Sequence, residues 1–176
     1  MLRFVNSAAL AALITLALFA APALAATRIL ALGDSLTAGF GLAPDKAFPV
    51  QLEARLKADG YDVVVDNGGV SGDTTADGLA RLDWAMSDHP AVVLVELGAN
   101  DMLRGLPPAQ AEANLDAILK KLVAAKVKVL LIGMKAAGNW GADYQKSFDA
   151  IYPALARKYA VLLYPFFLDG VAMDAK

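Results

Sequence analysis

Four short stretches of this chain concentrate the residue types that handle developing negative charge: Gly33-Asp34-Ser35-Leu36, Asn67-Gly68-Gly69-Val70-Ser71-Gly72-Asp73, Gly98-Ala99-Asn100-Asp101 and Gly133-Met134-Lys135, which leads on to Asn139-Trp140-Gly141. Ser35 falls where an apolar run gives way to a turn, so its hydroxyl is presented at an edge, and backbone N–H groups at a following helix start face incoming negative charge. Gly33 allows a tight bend there. Gly72 offers a backbone N–H with no side chain in the way, and Asn100 carries a side-chain amide that donates hydrogen bonds. Three donors around one serine would make an oxyanion hole, worth about 2.7–4 kcal/mol per donor in an acyl-transfer transition state; taken singly, each stretch reads as a turn or a helix cap.

Those stretches need a frame to bring them together. Arg28–Leu32, Asp62–Asp66, Ala91–Leu97, Lys128–Ile132 and Val161–Tyr164 are short runs rich in Val, Leu and Ile, as strands buried on both faces require. Helical spacing separates them. Phe48, Leu52 and Leu56 recur every four residues, with Glu53 and Lys57 paired on the outer side. Leu115, Ile118, Leu119, Leu122 and Val123 form an apolar stripe behind Pro107-Pro108, and Phe148, Ile151, Leu155 and Tyr159 mark a further helix that Pro153 is expected to kink. Alternating strands and helices predict an α/β fold with a parallel sheet, right-handed crossovers and helices on both faces. In such a sheet the ligand site lies beyond the carboxyl ends of the strands, where all four stretches belong.

Composition narrows the classes. The chain has 176 residues, a formal net charge of −2, no cysteine and one histidine. Disulfides, thiol nucleophiles, zinc ribbons and His-rich metal sites are excluded. An acidic balance without a basic block argues against nucleic acid. Residues 1–25 read as a cleavable signal peptide: Arg3 supplies the positive end, Ala8–Ala21 is apolar except for Thr15, and Pro22 with Ala23-Leu24-Ala25 forms the cleavage region. A membrane anchor is the competing reading, but the run is alanine-rich and broken by proline. The mature domain, 26–176, is therefore expected to be periplasmic or secreted, with no stable membrane anchor after cleavage.

Taken together, Gly33-Asp34-Ser35-Leu36, Gly72 after the second strand and Gly98-x-Asn100-Asp101 after the third resemble the SGNH (GDSL-type) hydrolase family. The likeness is greatest to its exported arylesterase, acyl-CoA thioesterase I and lysophospholipase L1 branch. It extends over Val95-Glu96-Leu97-Gly98, Asn100–Gly105, Phe148–Pro153 and Tyr164-Pro165-Phe166-Phe167. The resemblance implies a flavodoxin-like three-layer α/β/α fold with a five-stranded parallel sheet. It also implies Ser35 as nucleophile, and an oxyanion hole from the Ser35 and Gly72 N–H groups and the Asn100 side chain. Small acyl esters, thioesters or lysophospholipids would be the substrates, with no cofactor and no metal.

The family completes its triad with an Asp-x-x-His block ahead of a last helix. Asp169-Gly170 looks like the beginning of that block, but Ala172 stands where the histidine would be, and the chain ends at Lys176. The expectation is a hydrolase domain incomplete at its C-terminus, with its last helix missing, an apolar patch left on one sheet face and little esterase activity. His89 cannot substitute. It precedes the third strand whereas Asn100 follows it, and seven residues at about 3.3 Å each place it roughly 23 Å away. The non-enzymatic alternative is an acyl- or lipid-binding domain of the same fold. Asp34, Asp73 and Asp101 could otherwise form a metal or phospho-acceptor cluster, and Ser71–Thr75 a flavin phosphate loop, but Asp73 would repel a phosphate. Trp140 and Tyr144 are candidates either to line a substrate pocket or to cover the end of a helix; Lys135 is a candidate to meet an anionic head group, but reads first as a solvated lysine. Glu96, late in a buried strand, reads as a structural carboxylate rather than a catalytic acid.

Overall fold

The computed structural model describes residues 26–172; the expected leader lies outside them. Five parallel strands, β1 (Thr27–Gly33), β2 (Val63–Gly69), β3 (Val92–Glu96), β4 (Lys128–Ile132) and β5 (Leu162–Tyr164), form one sheet in the order β2-β1-β3-β4-β5. Parallel neighbours need crossovers. These are α1 (Ser35–Ala38) with α2 (Phe48–Ala58), then α3 (Thr75–Ala85), then α4 (Ala99–Leu103) with α5 (Pro108–Ala124), and finally α6 (Ala142–Asp149) with α7 (Ile151–Tyr159). The α/β architecture and five-stranded parallel sheet expected from the alternation are the ones observed.

Strand alternation sorts the core into two. Leu30, Leu32, Val93, Val95, Val129 and Leu131 pack on Leu82 of α3, the Leu115–Leu122 stripe of α5, and Phe148, Ile151, Tyr152 and Leu155 of α6 and α7. On the opposite face Ile29, Ala31, Val63, Val65, Leu94 and Ile132 meet Phe48, Leu52 and Leu56 of α2, and Phe167.

Local outcomes differ from expectation at three places. β2 runs on through Asn67-Gly68-Gly69, because Ala31, Leu32 and Gly33 of β1 pair with them. The expected kink at Pro153 is instead a break at Ala150, after which Pro153 sits in the first turn of α7, where its missing N–H costs no helical bond. Gly33 is needed for space rather than for a bend: a Cβ there would collide with Thr37 and lie 2.7 Å from Glu96 Oε2.

Candidate active site

The strand order places β1 between β2 and β3, so the chain leaves β1 and β3 towards opposite sides and a crevice opens at their carboxyl ends. Pairing of Gly33 with Glu96 sets the two exits level. Ser35 opens α1 directly beyond β1, and Asn100 lies in the first turn of α4 directly beyond β3. Gly72, in the loop after β2, adopts φ +92°, a left-handed conformation that glycine accommodates without strain.

Asp34 is fully buried and caps α1 by accepting the Leu36 N–H at 2.9 Å. Its other oxygen accepts Asn100 Nδ2 at 3.1 Å, and the same amide donates to the Asp73 carbonyl at 2.9 Å. One carboxylate thus ties the serine turn to the asparagine. The Ser35 and Gly72 N–H groups are used by no other group among the described residues. Gly72 is fixed through its carbonyl, which accepts from Arg104 at 2.6 Å. Arg81 bridges the floor, its Nε donating to Asp73 at 2.6 Å and its Nη2 to the Gly33 carbonyl at 2.9 Å. Burial raises the Asp34 carboxyl above the ordinary carboxylate range, against the lowering effect of the Leu36 N–H.

The remaining candidates separate. Asp73 is committed to Arg81, and Asp101 accepts both the N–H and the hydroxyl of Thr75, at 2.8 and 2.6 Å, which orients the start of α3. An apolar cavity of about 380 Å³ opens beside Asn100, with Leu36, Met102, Met134 and Phe166 among its walls. Lys135 stands at its rim, with Nζ 5.1 Å from the centre of the Phe166 ring. Trp140 and Tyr144 do not line this cavity. Trp140 lies over Gly105, and the Tyr144 hydroxyl donates to the Leu106 carbonyl at 2.9 Å, so both cover the turn between α4 and α5. Phe148 and Tyr152 extend this aromatic row into the core.

His89 precedes β3 at the amino-terminal end of the strands, opposite to Ser35 and level with the beginning of β1. Ala172, by contrast, borders the same cavity as Leu36 and Asn100. No imidazole stands beside Ser35 among the described residues. The Arg81 and Arg104 supports were missed in the sequence, where their partners lie 48 and 32 positions away.

Comparison with known proteins agrees with this architecture. Residues 31–176 match the GDSL-like Lipase/Acylhydrolase family. An arylesterase of Vibrio mimicus is 42% identical over 163 residues, covering 90% of this chain and 82% of that protein. The thioesterase 1/protease 1/lysophospholipase L1 of Escherichia coli K12 is 43% identical over 150 residues, covering 85% and 71%. The crystal structure of AlinE4, an SGNH-hydrolase family esterase, superposes with a TM-score of 0.82 at 49% identity, over 85% of this chain and 80% of that one.

Proposed function

Since the chain belongs to the GDSL-like lipase/acylhydrolase family, we propose that Ser35 is the nucleophile of an esterase and thioesterase acting on small acyl esters, acyl thioesters or lysophospholipids. The observation that carries this reading is that the Asn100 amide, beside an apolar cavity, bonds Asp34 and Asp73, the chain neighbours of Ser35 and Gly72, whose own N–H groups are uncommitted among the described residues. Ser35 Oγ attacks the carbonyl carbon, its proton passing to a base, and the carbonyl oxygen becomes an oxyanion. Ser35 N–H, Gly72 N–H and Asn100 Nδ2 receive that charge. Both Nδ2 hydrogens are engaged, so Asn100 exchanges its bond to the Asp73 carbonyl for the oxyanion while Asp34 keeps it aligned. The acyl chain lies in the cavity lined by Leu36, Met102 and Phe166. Departure of the alcohol or thiol leaves an acyl-serine, which water hydrolyses.

Among the described residues no imidazole stands beside Ser35, so residues 26–176 by themselves are expected to turn over about 10⁴-fold or more slowly than a complete triad, with a residue from the oxyanion hole. The test is hydrolysis of p-nitrophenyl acyl esters by residues 26–176, with and without Ser35→Ala. Slow turnover abolished by the substitution supports the reading, and turnover indifferent to it sinks the reading. The apolar cavity beside Asn100 also supports a second reading, an acyl-binding domain, in which Ser35→Ala leaves ligand affinity unchanged and no turnover is detectable in either form. The leader reading of 1–25 places the protein in the periplasm or outside the cell, which N-terminal sequencing of the exported species tests.

A further inference from the structure

Glu96 ends β3 and is 1% exposed. Its Oε2 accepts the Thr37 hydroxyl at 2.7 Å and the Asp34 N–H at 3.4 Å, so it holds the serine turn from both sides of Ser35. Oε1 has no partner among the described residues. Neither Glu96 nor Asp34 is paired with a lysine, arginine or histidine there, and Arg81 is committed to Asp73 and the Gly33 carbonyl. Two neighbouring carboxyl groups buried without a cation cannot both stay ionised at neutral pH. Asp34 has the donors a carboxylate needs, in Leu36 N–H and Asn100 Nδ2. Glu96 keeps one oxygen without any.

We infer that Glu96 is a positioning residue that works as a neutral carboxylic acid, pinning Thr37 and the Asp34 peptide so that Asp34 is the single charge beneath the turn and holds Asn100. The inference rests on the reading of Ser35 as nucleophile only for its effect on turnover. The groups around the pair oppose a second charge. Asp34 itself comes from the β1 turn, and Asp73, from the β2 loop, acts on Asp34; Asp101 of α4 is committed to Thr75, and the Tyr152 hydroxyl of α7 donates to the Leu97 carbonyl at 2.9 Å. Burial first, and the Asp34 charge second, push the Glu96 carboxyl up to about 8. Above that value its proton goes to solvent and the two carboxylates repel.

Carboxyl and amide NMR of the chain with Glu96→Gln and Glu96→Ala tests this. The Glu96 carboxyl should remain protonated from pH 6 until about 8. Glu96→Gln should preserve the amide signals of residues 34–37 and the Asn100 side chain, and abolish their change on alkaline titration; Glu96→Ala should displace them. An ionised Glu96 at pH 6, or equal displacement in both variants, overturns the proposal.

The folding equilibrium gives a second readout should Glu96→Ala not fold. A raised acid contributes fully below its unfolded value of 4.5 and loses that contribution as pH rises to about 8. Relative to Glu96→Gln, the folded fraction ratio should fall by up to about tenfold per pH unit across that window and then level off. Parallel curves overturn the proposal. Where turnover is measurable, Glu96→Gln should keep kcat and Glu96→Ala should lower it at constant KM. A chain without any turnover defeats the esterase reading while the NMR titration still decides Glu96.

Discussion

The two faces of the sheet are built from similarly apolar strand residues and are covered very differently. One is sealed by α3, α5, α6 and α7, and its Leu32, Val93, Val95 and Leu131 are fully buried. On the other, α2 and Phe167 cover only part, leaving an apolar groove of about 440 Å³ bordered by Phe48, Leu52, Leu56, Leu130, Ile132 and Phe167. Hydrophobic stabilisation follows the area removed from water rather than the composition of a strand. The sealed face therefore supplies most of the stability. The open face does something else: at its upper end, under α1, it carries Glu96 and Thr37, the polar support of the serine turn. The fold's stability and its chemistry rest on different faces.

The sharpest contrast comes from adjacent residues of β4. Leu131 is completely buried on the sealed face, whereas Leu130 is half-buried and borders the groove. Leu131→Lys forces an unpaired ammonium into the core and is expected to cost more than about 4–5 kcal/mol, enough to unfold a marginal domain. Leu130→Lys can lead its head group out through the groove and should cost no more than about 1–2 kcal/mol. Urea denaturation of both variants measures the difference. Equal losses would mean that the groove is closed in solution.

A smaller version removes volume only. Leu119→Ala, in the stripe of α5, should cost about 2–5 kcal/mol, because surrounding helices cannot collapse into the space. Leu52→Ala, its counterpart on α2, exchanges a partly solvated side chain for a shorter one and should cost about 1 kcal/mol or less. Here the denaturation midpoint should move while the slope stays constant. Should Leu52→Ala match Leu119→Ala, the faces are energetically equivalent and the comparison fails.

Much of this division was legible from the residues. Two-sided apolar runs predicted buried parallel strands, and the loops following them pointed to Ser35, Gly72 and Asn100 at one edge. The geometry does bring those three loops to one crevice. What the pattern could not convey were side-chain pairings across long separations. The Thr37–Glu96 bond joins residues 59 positions apart, and the Asn100–Asp34 bond joins residues 66 apart. Only strand register creates them. Trp140 and Tyr144 were open to two readings in the sequence, lining a pocket or covering a helix end, and tertiary contacts place them over the turn at Gly105 and Leu106. Gly33 was read correctly as necessary and for the wrong reason, since close approach by Thr37 and Glu96 is invisible without tertiary contacts.

The smallest effect tests how each face starts its helices. On the sealed side α3 begins with a reciprocal cap: Asp77 N–H donates to the Thr74 hydroxyl oxygen at 3.3 Å, and the Asp77 carboxylate accepts the Thr74 N–H at 3.0 Å and its hydroxyl at 2.7 Å. On the open side the residue before α2, Ala47, gives no side-chain cap, and the helix relies on Pro49 in its first turn. Thr74→Ala should therefore cost about 1 kcal/mol at neutral pH. Part of that is pH-dependent. Bonding from Thr74 holds the Asp77 carboxyl below its ordinary value of 3.8, so the folded state favours the carboxylate. Its contribution is complete above that value and disappears as pH falls through the depressed one. The stability gap between wild type and Thr74→Ala should accordingly be widest near neutrality and narrow on acidification below about pH 4. A gap that stays constant down to pH 2 would mean that the hydroxyl–carboxylate bond adds nothing, and that the sealed face owes its advantage to packing alone.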